Sequence, residues 1–585
     1  DGDNLYFAFR ALDPEPDRIK ASVTNRDNML RDDWVAINLD SFNDQQSLYA
    51  FYINPLGIQG DSRYSAGHED RSFDLVWYSS GQIDSAGYTV EIRLPLKSIR
   101  YAANDTVSMG VIMERHVSRE GESATSPPLD PAQGDSWLTQ MRPIYYQDFG
   151  HKTLLEVIPA ATYNLWQSDH QGILTTDVRR ADFSLTGKYG ITSDLIFDGT
   201  YNPDFSQVEA DAGQVDINLR YNLYYPEKRP FFLEAREAFT IASTGVSGVD
   251  PVRAIVYTRT IVDPIVGARL SGKLGSKNTV ASIYAVDELP AVDANSRNTY
   301  AHFPVIRYKR SLAQDSYLGA IYAGREARAS FNRVGGADGQ FRVSESSMLG
   351  FHGLLSRSSM GVDSESATGH SFGADYSQSN RNLDYGFMAN DIAENFRADM
   401  GFVTRTGISQ VGGRVRPKFY PDGAFLRRFD VELSTAQTLD KFSDLWETFN
   451  QLSLQNYLWR NISFRVRLFY STEVFLAERF NTSGISVYGG GQWTNQLFLG
   501  VSYSHTGAVF YSEDPFQGRS NTVSANLTYQ PSDKIRGEAT FTYSDFTRSS
   551  DSEKIYDYPI VRGKLTYQLS KYLFFRGILE YNDFR

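Results

Sequence analysis

The chain has 585 residues, a formal net charge of −12 and no cysteine. The negative charge argues against nucleic acid as a partner, because phosphate binding needs clustered Lys and Arg. The lack of cysteine excludes disulfides and thiolate metal sites. Aromatic residues make up 14% of the chain and the mean hydropathy is −0.39, with no apolar run of about 18 residues to predict a spanning helix. This combination is typical of a β-barrel, whose strands face lipid and lumen with alternate residues.

Residues 1–150 are predicted to form a soluble β-sandwich with a linker. Turn-rich stretches separate its short strand candidates, which are Leu5–Ala11, Trp34–Leu39, Leu48–Ile53, Phe73–Trp77 and Tyr88–Leu94. The segment Glu120–Gly134 is rich in Ser, Pro, Gly and acids and is predicted to be a loop or linker. Because the chain opens directly on a strand-like segment, we expect that a leader and the start of this domain have been removed.

Residues 151–585 are predicted to form a large antiparallel transmembrane β-barrel of about 16–20 strands, with an even number expected. In the segment Ala181–Tyr189, the odd positions are apolar or small and the even positions are polar. Successive side chains on a strand point to opposite faces, so this alternation gives one apolar and one polar face. The same pattern recurs at 462–470, 523–529, 535–543 and 561–569. The end Tyr581–Arg585 has no clear strand pattern, so we expect that a final hairpin is absent.

A soluble antiparallel protein with one buried face per sheet would show the same alternation. Two features favour lipid. The polar faces carry full charges, which suits a watery lumen, and the apolar faces often end in Tyr, as an interfacial girdle requires. These residues are Tyr189, Tyr201, Tyr470, Tyr529, Tyr543 and Tyr567.

The longest interruption of the barrel pattern covers about 202–248, and it contains a cluster of charges among aromatics. The charged residues are Glu227, Lys228, Arg229 and Glu234, which would suit a partly buried ion-pair node. One interpretation is a constriction or ligand-contacting loop inside the lumen, and the other is an inward loop that braces the wall. If the first barrel strand rises from the periplasm, the third, Leu195–Tyr201, ends at the outer face, so the loop would enter from outside.

The chain resembles the DUF5916 family of bacterial outer-membrane proteins. The resembling runs are Asn202-Pro-Asp-Phe-Ser-Gln-Val-Glu-Ala-Asp211, Tyr224-Tyr-Pro-Glu-Lys-Arg-Pro-Phe-Phe-Leu-Glu234 and Gly267-Ala-Arg-Leu-Ser-Gly272. The front domain resembles the carbohydrate-binding-module family 9-like domain of those proteins, for example in Asp32-Asp-Trp-Val-Ala-Ile-Asn-Leu-Asp40 and Phe51-Tyr-Ile-Asn-Pro-Leu-Gly-Ile-Gln-Gly-Asp61. The resemblance implies a Gram-negative outer membrane, contact with its lipid and lipopolysaccharide, and a periplasmic front domain.

Trp34 and Trp77 are the candidate carbohydrate-binding residues. A pyranose ring stacks its apolar face on Trp, and by resemblance family 9 modules hold a sugar between two Trp. The alternative is core or edge packing, because Trp34 lies in an alternating strand and Trp77 ends an apolar run.

No catalytic residue is predicted, because the sequence has no G-x-S-x-G elbow, no H-E-x-x-H and no P-loop. The eight histidines are scattered, with no pair at metal-ligand spacing. No cofactor is expected. Calcium binding through Asp40 or Asp61 is the one metal hypothesis, and solvated turn acids are its alternative.

The sequence therefore predicts a nonenzymatic, porin-like barrel that binds or passes a glycan or small solute. The alternative is a structural or assembly barrel whose periplasmic domain docks a partner protein. A TonB-dependent importer is not favoured, since nothing before residue 150 resembles a plug domain. The ligand, the state of the pore and the oligomeric state remain open.

Overall fold

The computed structural model describes residues 2–65, 68–103, 105–134, 136–147, 153–170, 173–203, 211–242, 250–289, 299–361, 364–423 and 425–584. Within these ranges the chain is almost entirely β. No helix of the described ranges is both long and apolar enough to cross a membrane.

The front domain is built from two sheets. Its strands are β1 (Asn4–Leu12), β2 (Trp34–Asp40), β3 (Ser47–Ile53), β4 (Gln59–Ser65), β5 (His68–Asp70), β6 (Tyr78–Asp84), β7 (Gly87–Pro95), β8 (Thr106–Val117), β9 (Glu122–Ser126) and β10 (Arg142–Gln147). One sheet has the order β1-β7-β6, and the other has the order β10-β8-β2-β3-β4-β5 with β9 beside β8. Short 3₁₀ helices lie at Pro16–Arg18, Leu96–Ser98, Pro131–Gln133 and Leu138–Gln140.

One apolar core joins the two sheets. Tyr88 and Val90 of β7 pack with Ile37 of β2 and Phe51 of β3, so the two sheets form a sandwich. Four of the five predicted front strands are present. The fifth, Phe73–Trp77, is wrong, because these residues form no strand and the strand β6 begins directly after them, at Tyr78. The predicted linker Glu120–Gly134 contains the strand β9 and a 3₁₀ turn.

The barrel wall is one antiparallel sheet of 22 strands in chain order. Its strands are β11 (Leu155–His170), β12 (Ile173–Gly190), β13 (Leu195–Tyr201), β15 (Pro264–Leu274), β16 (Asn278–Leu289), β17 (Thr299–Ser311), β18 (Tyr317–Ala327), β19 (Phe331–Ser344), β20 (Ser347–Ser359), β21 (Ala367–Ser379), β22 (Leu383–Ile392), β24 (Ile408–Phe419), β25 (Leu426–Asp440), β26 (Leu445–Leu458), β27 (Ser463–Phe475), β28 (Glu478–Asn481), β29 (Gly484–Gln492), β30 (Leu497–Phe510), β31 (Phe516–Tyr529), β32 (Ile535–Arg548), β33 (Lys554–Ser570) and β34 (Leu573–Asn582). A separate pair joins β14 (Val252–Ala254) to β23 (Phe402–Val403).

The predicted class, a sandwich followed by a large antiparallel barrel, is confirmed. The predicted count of 16–20 strands is too low. Some successive wall strands are joined by very short turns, such as 345–346 and 571–572. The alternation pattern does not show where one strand ends and the next begins at such turns, so two strands are counted as one. The expectation of no terminal strand is also wrong, because β34 pairs with β33 from Ile560↔Asn582 onward. In the described residues β11 and β34 are the edge strands of the sheet.

The wall buries its polar face and exposes its apolar face. Phe183 is 56% exposed, whereas its neighbour Ser184 is 6% exposed. On the next strand Phe197 is exposed, and Asp198 is buried at 2%. A soluble protein has the opposite arrangement, and a barrel in lipid has this one. Five of the six tyrosines predicted at strand ends are exposed; they are Tyr189, Tyr201, Tyr470, Tyr529 and Tyr567.

The segment after β13 starts at the end of the barrel far from the front domain. The turn before β13 lies beside the end of β15, where the Lys273 amide donates to the Asp194 carbonyl, and this is also the end where Lys273 contacts Asp44 of the front domain. The described residues 211–242 then cross the lumen. They include the helix α1 (Pro230–Leu233) and a 3₁₀ turn at Arg236–Phe239; two further 3₁₀ turns lie at Thr258–Thr260 and Trp459–Asn461.

This lumen segment is anchored to one side of the wall by an apolar core. Phe232 and Phe239 pack with Ile283 of β16 and Phe303 of β17 in the largest buried cluster. Arg307 of β17 and Asp338 of β19 form a buried ion pair at 2.5 Å, and the Asp338 carboxylate accepts the amide N–H of a lumen-segment alanine at 2.9 Å. The segment therefore braces this part of the wall.

The front domain covers the near mouth of the barrel through polar contacts. The Gln46 amide donates to the Ser316 carbonyl at 3.1 Å, and the Val23 amide donates to the Asp533 carbonyl at 2.8 Å. Further contacts are the pairs Glu122–Arg427 at 2.9 Å and Arg31 over the ring of Phe498 at 3.9 Å. All these wall residues lie in or next to turns at the same end. The buried apolar clusters of the front domain contain no wall residue in the described part of the chain.

Candidate functional site in the barrel lumen

The front domain, the lumen segment and the wall meet at the carboxylate of Glu234. We call this carboxylate and its charged neighbours Arg100, Lys188, Arg269 and Asp198 the clamp. Arg100 of the front domain contacts Oε1 at 2.6 Å, and Lys188 of β12 contacts Oε2 at 2.7 Å. Arg269 of β15 lies 3.2 Å from Oε2 and 2.9 Å from the carboxylate of Asp198. One carboxylate therefore links three parts of the molecule.

The clamp is largely buried and brings three cations to two carboxylates. Burial opposes the charge of Glu234, but the attraction of Arg269, Lys188 and Arg100 outweighs it and holds the pKa of the carboxyl well below its usual range. Arg269 and Asp198 are each 2% exposed in their side chains. Breaking one partner of such a network leaves an uncompensated buried charge, which is costly.

A second buried ion pair, between Arg229 and Glu227, fixes the turn before α1. Arg229 and Glu227 form a two-point ion pair at 2.8 and 2.7 Å. The Arg229 guanidinium also donates to the carbonyls of Ile261 and Thr258, and the Thr258 hydroxyl donates to the Glu227 carboxylate. Burial is again outweighed by Arg229, so the pKa of Glu227 is lowered. The hydrogen-bond partners named here lie within 227–261, so this ion pair shapes the lumen segment and the stretch that follows it.

The four charged residues predicted as one lumen cluster thus have separate roles. Glu227 and Arg229 pair with each other, Lys228 reaches Asp211 at 3.0 Å, and Glu234 belongs to the clamp. The sequence did not identify Arg100 or Asp198, since they lie far away along the chain. The alternation in Ala181–Tyr189 does place Lys188 on the polar, inward face of its strand. Lys188 is therefore a clamp residue whose position facing the lumen could be predicted from the sequence.

The two tryptophans predicted as sugar platforms are buried, which corrects that prediction. Trp34 is 8% exposed and Trp77 is 3% exposed. Trp34 stacks on His116 at 5.0 Å, and Trp77 packs edge-on against Phe51 at 5.3 Å. A stacking platform needs an open ring face. Strand β2 is covered on both sides, and alternation alone cannot reveal a second covered face.

The acids predicted as calcium ligands have protein partners. Asp40 accepts backbone N–H groups from its own turn, including that of Gln45 at 2.7 Å. Carboxylate oxygens of Asp27, Asp61 and Asp74 lie within 4.8 Å of one another. The guanidinium of Arg26 contacts Asp61 at 2.5 Å and Asp74 at 3.2 Å, so the chain supplies its own cation there.

We expect Asp27→Asn to stabilise the chain at pH 8. Burial raises the pKa of Asp27 to about 7, so the folded state holds an extra proton between its unfolded pKa, near 4, and pH 7. Stability therefore falls as pH rises through this window. An uncharged Asn avoids that loss and still accepts the Asp61 amide, for a gain on the order of 2 kcal/mol.

Thermal unfolding of the full chain in detergent at pH 8 and pH 4 measures this effect. The gain should disappear at pH 4. Asp84→Asn is the matched control, because hydrogen bonding to Arg10 lowers the pKa of the exposed Asp84, so this change should not stabilise. A destabilised Asp27→Asn variant at pH 8 would contradict the prediction.

Among the described residues, two large cavities open into the lumen. The larger, of about 1130 Å³, lies beside the lumen segment. It is lined by residues of that segment, of the stretches at 250–253 and 404–405, and of wall strands between β24 and β30. The smaller, of about 420 Å³, lies where the front domain, the lumen segment and β17–β21 meet. The lumen is therefore divided, with most of the open space on the side away from the apolar anchor.

Residues 153–244 match the family model described as "Domain of unknown function (DUF5916)". The match covers β11 to β13 and the lumen segment through the clamp. No curated protein sequence matches the chain. One solved structure, "Structure of the P pilus usher (PapC) translocation pore", aligns over 94% of this chain and 97% of its own at 9% identity and a TM-score of 0.28.

Proposed function

Because residues 153–244 carry the DUF5916 domain, we propose a role for the whole chain that is built around the segment this domain places in the lumen. The chain is a nonenzymatic outer-membrane barrel of a Gram-negative bacterium. It binds a small polar solute in its lumen and passes it when the front domain moves away from the mouth. Its outer face contacts lipid and lipopolysaccharide.

The orientation is supported by the lengths of the connections. Connections at the mouth covered by the front domain are short, such as 275–277 and 345–346, whereas the far end carries 202–263 and 393–407. Bacterial barrels have short periplasmic turns and longer external loops. The front domain is therefore on the periplasmic side.

The observation that carries the proposal is the difference between the lumen segment and the front domain in how each is held to the rest of the barrel. The lumen segment shares a buried apolar core with the wall. The front domain is held by ion pairs and hydrogen bonds, including Arg63–Glu237 at 2.9 Å and Arg100–Glu234. Polar interdomain interfaces permit relative motion, while large apolar ones oppose it. The front domain is thus the movable part.

Planar-bilayer recording of the full chain tests this proposal. The wild type should be mostly closed, and the double variant Arg63→Met/Arg100→Met should open more often. The ratio of open to closed time rises tenfold for each loss of about 1.4 kcal/mol in closing free energy. Glu234 keeps its contacts with Lys188 and Arg269 in this variant, so its carboxylate stays paired with the barrel wall.

The matched control is Arg10→Met/Arg18→Met, which removes two exposed ion pairs of the same domain and should leave the recording unchanged. A barrel that conducts no ion in the double variant, and none after deletion of residues 211–242, would overturn the passage function.

The occupied lumen also favours a second candidate, an assembly barrel whose front domain docks a partner protein. In that case the ion pairs at the mouth serve only to hold the domain. Copurification of a stoichiometric partner with a barrel that stays closed would support this candidate over the first.

A further inference from the structure

The larger cavity has a wall rich in uncharged hydrogen-bonding groups. Uncharged polar side chains line it, and they come from the lumen segment, from five wall strands and from the connection before β24. Among them are Gln410, Thr438, Thr448, Ser471 and Thr506 of the wall strands and Thr404 of that connection. Hydroxyl and amide groups both donate and accept hydrogen bonds. Such a lining suits a ligand with many hydroxyl groups.

Most charges of this cavity are paired within the protein, and the exception in the described part of the chain, Arg253, lies over the ring of Tyr224 at 3.9 Å. Arg220 contacts Glu473 at 2.5 Å, and Arg405 contacts Asp440 at 2.8 Å and Glu447 at 2.5 Å. Burial raises the pKa of Asp250, just before β14, to about 8, so this carboxyl is mostly neutral at pH 7. The cavity therefore offers little net charge to attract an ion.

Two aromatic rings add apolar faces to this polar wall. Phe449 of β26 and Phe469 of β27 both line the cavity, with ring centroids 6.0 Å apart at 44°. Both rings are half-buried. Polar groups beside accessible ring surface are the combination that a sugar ring requires, since it has hydroxyl edges and apolar faces.

One buried polar atom of the cavity wall has no partner. Gln410 of β24 is 5% exposed, and its Nε2 donates to the Thr438 hydroxyl at 3.0 Å. Its Oε1 has no hydrogen-bond partner in the described part of the chain. A buried acceptor without a donor costs free energy, and rotation of the Gln410 amide toward the cavity would let a ligand hydroxyl satisfy it.

We infer that this cavity binds a neutral oligosaccharide, with Gln410 accepting a sugar hydroxyl and Phe449 facing a sugar ring. This inference rests on the proposed solute-binding function and names its ligand class and site. The volume of about 1130 Å³ slightly exceeds the roughly 300–1,000 Å³ of typical small-molecule sites, which leaves room for several sugar rings. The binding site is thereby in the lumen, not in the front domain.

Calorimetric titration of the full chain in detergent tests the inference. The probes are neutral glucose, xylose and mannose oligosaccharides of three to six units, with oligogalacturonate of equal length as the acidic comparison. At least one neutral series should bind saturably and more tightly than the acid. Gln410→Met and Phe449→Leu should each weaken binding by about tenfold, as expected for one lost hydrogen bond or ring contact.

Gln340→Met is the matched control, because Gln340 lines the smaller cavity and should leave binding unchanged. The inference is overturned if no neutral series binds, if the acid binds more tightly, or if binding is the same in Gln410→Met and Phe449→Leu as in the wild type. If Arg63→Met/Arg100→Met opens the barrel but no neutral sugar binds, this inference fails alone. If sugar binds as stated but the barrel stays closed, the passage function fails alone.

Discussion

Replacing Arg269 with methionine is expected to lower the free energy of unfolding by about 3–5 kcal/mol. Methionine keeps much of the length of the side chain and removes its charge. The carboxylates of Asp198 and Glu234 would then share a buried site with Lys188 as their nearest wall cation, at 4.0 and 2.7 Å. The carbonyls of Phe231 and Glu234 would also lose the guanidinium that donates to them.

Urea unfolding of the chain refolded into lipid vesicles measures this loss. Arg333→Met is the control, because Arg333 pairs with Glu326 at 2.5 Å while 49% exposed, and exposed pairs contribute at most about 1 kcal/mol. Equal stabilities for the two variants would show that the clamp is not a buried network.

The second large effect is expected on the outer face. Leu468 lies near the middle of β27 and is 47% exposed, and the alternation places the preceding Arg465 and Arg467 on the inner face. We expect Leu468→Arg to destabilise the barrel in lipid by about 2–4 kcal/mol, the cost of an arginine near the middle of a bilayer.

The same vesicle assay measures this effect, and Phe442→Arg is its control. Phe442 is 66% exposed in the turn between β25 and β26, beyond the strands, where a charge costs at most about 1 kcal/mol. If Leu468→Arg were as stable as the wild type in vesicles, this face of the wall would be in water.

The barrel wall could be predicted from the sequence because every second residue of a strand faces lipid and is therefore apolar. Segments such as Ala181–Tyr189 carry the alternation plainly. Strand β19 blurs it, since Gly335, Gly336 and Gly339 occupy its middle. A side chain at Gly339 would meet the ring of Phe351 on the neighbouring strand, so packing across strands decides that position. Strands of this kind explain why the predicted count was too low.

The site was less predictable because its partners are remote along the chain. Glu234 could be identified as a charge among aromatics, but its contact with Arg100 crosses 134 positions. No local pattern reports such a pairing. The tryptophans failed for a related reason, since the cover over Trp34 comes from residues such as Leu138 and Met29 in other segments.

The cavity proposed for sugar binding could not be read from the sequence either. Gln410 occupies an ordinary inward position of β24, and its free acceptor becomes visible only when the neighbouring strands are placed. Phe449 likewise belongs to an alternating strand. What distinguishes Gln410 and Phe449 is that both line the larger cavity. That cavity lies on the side of the lumen away from the apolar core that anchors the lumen segment.

The most direct test of the account is reversible locking of the front domain to the wall. The chain has no native cysteine, so Asp44→Cys/Lys273→Cys, which replaces a front-domain contact with β15, can be joined by a short bifunctional methanethiosulfonate reagent. In bilayer recordings the reduced variant should open more often than the wild type, close when cross-linked, and open again when reduced. The same conductance in all three states would contradict a barrel that is closed by its front domain.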